Sequence, residues 1–237
     1  MDFFLNNYAF IIHFVEVLAA VTGIFCLKKF KNTPVVYFIY FLIYVAILEL
    51  IGAYPTYVEK YEVLSHLKEQ LKGTKFETNH WWFNVLWTIV SAVFYSFYFR
   101  NFLESHNSKR ILKVITLTFV ISSIVYIIFN WNAFFASSFY FVNIFSASVV
   151  LLSVVLYFVE VLKSQKILTF YKSINFYIAA VLLVFFLIKT PLIFYDVYFS
   201  RRDMDYVKLN ATINILCITF MYITYALALI WCKPRNI

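Results

Sequence analysis

Five ionisable side chains interrupt stretches that are otherwise long and apolar: His13, Glu16, Glu49, Lys189 and Asp196. Carboxylates can hold a cation, an ammonium can hold an anion, and an imidazole titrates near neutral pH. Both signs are present, so the set can also neutralise itself. A charged group at the centre of a bilayer costs at least about 2.5–3.5 kcal/mol, which turns it toward the protein interior or a partner. The expected pairing sets Lys189 against Glu16 or Glu49. His13, Glu16, Ala20 and Gly23 share one helical stripe, and Leu42, Ala46, Glu49 and Ala53 share another. Small residues on such stripes mark close helix contact.

Neutral polar residues join them. Asn84, Thr88, Ser91, Tyr95 and Tyr98 follow a helical period, Asn143, Ser146 and Ser153 recur on another span, and Asn210 and Asn214 on the last. The expected pocket is therefore lined by Asn84, Thr88, Ser91, Asn143 and Asn214 around the five ionisable groups. Pro191, two residues after Lys189, removes a backbone donor and is expected to kink its helix.

The elements that must position these residues follow from composition. The chain is 63% hydrophobic and 14% charged, with a mean hydropathy of +0.80; soluble domains are nearer half apolar and a quarter charged. Seven spans are expected near 8–27, 34–54, 81–99, 112–131, 135–162, 174–199 and 210–232, each about long enough to cross a bilayer. The whole chain, 1–237, reads as a single integral membrane domain, with no room for a separate soluble unit. The expected fold class is all-α, a seven-helix transmembrane bundle.

Net charge is +8, but the basic residues cluster at span ends and do not form a nucleic-acid face. Lys28, Lys29 and Lys31, then Arg100, Lys109, Arg110 and Lys113, then Lys163, Lys166 and Lys172, and finally Lys233 and Arg235 fall on alternate connections. The positive-inside rule then gives the N-terminus outside and the C-terminus inside, and it sets all five ionisable residues in the outer half. The segment 55–80 falls outside. Tyr57, Tyr61, Leu64, Leu67 and Leu71 recur there at helical spacing between Pro55 and Gly73, so an amphipathic outer helix is expected between spans 2 and 3.

Several chemistries lack their residues. Only His13 lies within a span, while His66, His80 and His106 lie in loops or at an interface, so a metal site of three or four ligands is not expected. There is no Gly-x-Ser-x-Gly, no His-Glu-x-x-His and no phosphate loop. The last span has no lysine before Lys233, unlike a retinal protein. The two similar three-helix halves of a SWEET-type sugar transporter are not evident. Cys26, Cys217 and Cys232 fall in no outer loop, so no disulfide and no cofactor is expected. The N-terminus carries Asp2 and no basic residue before the first apolar run, unlike a cleavable signal. Abundant Phe, Tyr, Ile, Lys and Asn suit an AT-rich bacterial genome and hence a bacterial inner membrane.

These readings converge on a polytopic membrane protein with an outward-facing polar pocket, sensor- or receptor-like, for a small polar or amphipathic ligand. The alternative is a small-solute or proton-coupled transporter; an intramembrane enzyme or a scaffold subunit ranks below both. The expected partners are the lipid bilayer, a small-molecule ligand, and a cytoplasmic or membrane protein docked on the basic inner loops, with no nucleic acid.

Overall fold

The computed structural model describes residues 7–164, 168–198 and 204–234, without the side chains of 193–198 and 204. Among the described residues there is no strand, and seven helices are long and apolar enough to cross a membrane. They are α1 (Tyr8–Phe30), α2 (Val35–Gly52), α3 (His80–Arg100), α4 (His106–Phe129), α5 (Tyr140–Lys163), α6 (Ile174–Tyr198) and α7 (Met204–Trp231). Large apolar side chains such as Phe25, Phe129, Leu162, Leu216 and Ile230 stand on the outer faces of these helices. A water-facing surface does not carry so much apolar area; hydrocarbon does not penalise it. The chain is an integral membrane protein by this architecture.

The helices form a ring. α1 packs between α2 and α7, α7 against α6, α6 against α5, α5 against α3, and α3 touches α2 to close it. α4 lies outside, against α3 and α5, and buries only Leu112, Phe119 and Ser123. Close approach of α1 and α2 depends on Gly23, where a Cβ would come 2.9 Å from Ile39 Cγ2. The core is aromatic: Phe41 stacks on Phe94 at 3.9 Å between ring centres, and Phe38 meets both Tyr98 and Tyr225.

One end of the ring is basic, with Lys28 and Lys29 closing α1, Arg100 closing α3 and Lys163 closing α5. The cations satisfy helix ends there. Lys29 Nζ donates to the carbonyls of Leu229 (2.8 Å) and Ile230 (2.7 Å), at the last turn of α7, where orphan carbonyls need donors. Glu160 does the converse: its carboxylate accepts from the backbone N–H of Glu104 and of Ser105 (3.0 Å), fixing the turn into α4. Ser105 then caps α4 by accepting from Ser108 N–H. Lys166 and Arg235, expected on this rim, lie outside the described residues.

Several limits differ from expectation; α4 starts at His106 and α7 at Met204, earlier than the expected 112 and 210. The fifth span does not begin at 135: Trp131–Ala136 is a separate short helix, Ser137 and Phe139 are extended, and α5 starts at Tyr140. The connection expected at 132–134 is displaced toward 137–139, where Asn84 of α3 holds it. The short outer helix expected within 55–80 is divided. Tyr54–Lys60 and Ser65–Leu71 are separated by a 3-10 turn, with no buried residue in any of the three. Pro55 does stand in the first turn of the former, and Gly73 takes a positive φ of 73° just past the latter. Finally, α3 opens with a π-helical stretch, Phe83–Ile89. Its wider turn changes the period of α3, yet Asn84, Tyr95 and Tyr98 of the expected stripe are all buried.

Candidate functional site

His13 and Glu16 sit one turn apart on α1, and Glu49 sits near the far end of α2. α1 and α2 are joined by a four-residue turn, so they run antiparallel, and Gly23 and Ile39 lock their contact. The consequence is convergence: one ligating atom each from His13, Glu16 and Glu49 lies within 4.8 Å of the others. His13 Nδ1 is 3.7 Å from Glu16 Oε2. Glu16 is 3% exposed. Neither that Nδ1 nor that Oε2 has a hydrogen-bond partner among the described residues. A buried carboxylate oxygen left so is rare, because its desolvation is uncompensated.

Tyr8 opens α1, and the buried Tyr222 lies on α7, which packs along α1. Tyr222 had no polar neighbour in the sequence to single it out; its spacing from Tyr225 on an inward face was the available signal. Tyr222 packs edge-on to Tyr225, Tyr225 packs on Phe38, and Phe38 on Tyr98. The Tyr98 hydroxyl donates to Asn175 Oδ1 at 2.6 Å, deep between α3 and α6. Asn175 was not anticipated, because it follows a basic connection and reads as a helix start.

The lysine goes elsewhere. Lys189 Nζ donates to Asn214 Oδ1, and Asn214 Nδ2 donates to Asn210 Oδ1 at 3.2 Å. Among the described residues no ion pair joins Lys189 to Glu16 or Glu49, and Glu16 is paired with His13 instead. The expected charge pair is therefore replaced by an amide partner on the neighbouring helix. The Asp196 side chain lies outside the described residues. Pro191 is inside α6, as expected from its position.

The expected neutral lining divides. Asn84, 3% exposed, brackets the chain reversal before α5: its Nδ2 donates to Ser137 O (3.0 Å) and its Oδ1 accepts from Phe139 N–H (3.3 Å). Thr88 donates to Asn143 Oδ1 across α3 and α5 at 3.3 Å. The buried Ser91 hydroxyl has no partner among the described residues. A groove of about 180 Å³ between α6 and α7 is lined by apolar residues such as Val184, Phe185, Leu216 and Phe220, and by none of the five ionisable groups.

The rim above Glu49 is built from α3. Trp82 Nε1 donates to Leu48 O at 3.1 Å, and Asn79 Nδ2 donates to Gly52 O at 2.7 Å. Gly52 admits this, since a Cβ there would meet Trp82 and Phe83 at 2.9 Å.

No protein-family model, curated protein or solved structure matches this chain.

Proposed function

We propose that this protein is a sensor- or receptor-like component of a bacterial cytoplasmic membrane that binds a small cationic ligand in a pocket open to the outside. The single observation behind this reading is the convergence of His13, Glu16 and Glu49 within 4.8 Å, with the Glu16 carboxylate buried. Two carboxylates this close, with no lysine or arginine paired to them among the described residues, form a negative site in a low-dielectric setting. Such a site favours whatever positive species reaches it. The outside orientation rests on the basic end holding Lys28, Lys29, Arg100 and Lys163, opposite to the acidic site along α1 and α2. The inner connections are short, so output passes to a separate partner.

A second reading, proton- or cation-coupled transport, draws on the run of buried tyrosines. Tyr222, Tyr225 and Tyr98 lead from the acidic site to Asn175 near the basic end. Hydroxyls along the ring's interior are the kind of lining a moving proton uses.

The test is a thermal-unfolding panel on purified protein with protons, alkali cations, divalent ions and quaternary ammonium compounds. At least one class is expected to raise the midpoint of wild type and not that of Glu16→Gln/Glu49→Gln. A flat response to every class rejects the binding reading. Proton flux in proteoliposomes then separates the two readings.

A further inference from the structure

We infer that the cation held by His13, Glu16 and Glu49 is a divalent transition-metal ion, bound by one imidazole nitrogen and two carboxylates. This inference rests on the cation-binding reading above and narrows it. Charge is the first argument. Two carboxylates and a neutral imidazole carry two negative charges, and a divalent ion cancels them. A neutral assembly is what a membrane interior tolerates. A monovalent ion leaves a residual negative charge on Glu16, which is 3% exposed.

Ligand chemistry is the second. Mg²⁺ and Ca²⁺ are hard ions that take oxygen ligands, whereas imidazole suits Zn²⁺, Fe²⁺, Ni²⁺ and Cu²⁺. Thiolate is not part of the group: Cys26, Cys217 and Cys232 are free and stand outside it. Mixed nitrogen and oxygen ligation without sulfur favours Zn²⁺ or Fe²⁺ over Cu⁺.

Geometry is the third. Ligands held about 2.0–2.2 Å from one ion stand roughly 3–3.5 Å apart. His13 Nδ1 and Glu16 Oε2 are 3.7 Å apart, and the third ligand completes a set spanning at most 4.8 Å. The buried Glu16 Oε2 and the His13 Nδ1 that face each other have no hydrogen bond to give up among the described residues. Three protein ligands leave a coordination position open for water or a second ligand.

The experiment uses the full chain in detergent, stripped with chelator and titrated with Zn²⁺, Fe²⁺ (anaerobically), Co²⁺, Mg²⁺ and Ca²⁺ by calorimetry, with elemental analysis of the loaded protein. Expected are one transition-metal ion per chain, no competition by Mg²⁺ or Ca²⁺, and affinity at least about tenfold weaker in His13→Gln, Glu16→Gln and Glu49→Gln. Each variant is checked for a monodisperse profile, and any that folds carries the test. X-ray absorption of the loaded protein should give nitrogen and oxygen ligands at about 2.0–2.2 Å with no sulfur. Stabilisation by protons or ammonium compounds without metal binding overturns this inference and leaves the cation site standing. Metal binding unchanged in all folded variants, or a sulfur ligand, also overturns it. No response to any cation removes both.

Discussion

His13 Nδ1 and Glu16 Oε2 face each other across 3.7 Å on one side of α1, too far for a full hydrogen bond and too buried for water to substitute freely. The contact therefore contributes little energy of its own. Removing the charge should relieve the ligand-free protein. Glu16→Leu is expected to stabilise it by about 1–3 kcal/mol, the cost of an unsatisfied buried polar group, while abolishing cation-dependent stabilisation. Thermal midpoints with and without cation read both effects; a marked fall in the ligand-free midpoint would give Glu16 a structural role instead.

Gly52 is where α3 meets the end of α2. A Cβ there meets Trp82 Cδ1 and Nε1 and Phe83 Cζ, all at 2.9 Å. Gly52→Ala should cost about 1–3 kcal/mol through overpacking. It should also shift tryptophan emission, because the Trp82 hydrogen bond to Leu48 O is pushed open. Unchanged emission and unfolding would show that the aromatic pair yields without strain.

Glu160 binds two backbone N–H groups at the basic end. Hydrogen bonds to a charged acceptor contribute about 1.5–3 kcal/mol when buried. This site is half-exposed, so about 1–2 kcal/mol is expected for Glu160→Ala, with Glu160→Gln intermediate. Hydrogen exchange should locate the loss at residues 101–108. Exchange rising evenly along the chain would count against a local cap.

Tyr98 and Asn175 form a buried pair. Tyr98→Phe leaves the amide without its donor and should cost about 1–3 kcal/mol. Tyr98→Phe/Asn175→Leu removes both partners, so its cost should fall short of the sum of the singles, measurable as a double-mutant cycle. Strict additivity would mean that the hydroxyl and the amide do not interact.

Much of the helix framework was legible because lipid imposes a simple rule: about twenty apolar residues per crossing. α1, α2 and α6 fall close to the expected limits for that reason. The rule fails where an apolar run turns back on itself. A break was expected at 132–134, but the extended residues are Ser137 and Phe139, and the polar group that holds them, Asn84, lies on another helix. At the site, the meeting of His13, Glu16 and Glu49 was legible as shared stripes of polar and small residues. The partner of Lys189 was not, since charge alone favours a carboxylate and only packing puts Asn214 within reach. Counting histidines alone gave no weight to the two carboxylates, from separate helices, that converge on His13.

Closure of the ring by α1 and α7 has a consequence for biogenesis. Lys29 reaches Leu229, 200 residues further along the chain, and α7 packs along α1. During synthesis α1 and α2 must enter the bilayer as a hairpin whose acidic groups shelter only each other. The α7 side of that site is supplied once the seventh helix inserts. Until then the half-built protein is a membrane hairpin with exposed charge, the sort of intermediate that quality-control proteases and insertases are equipped to recognise.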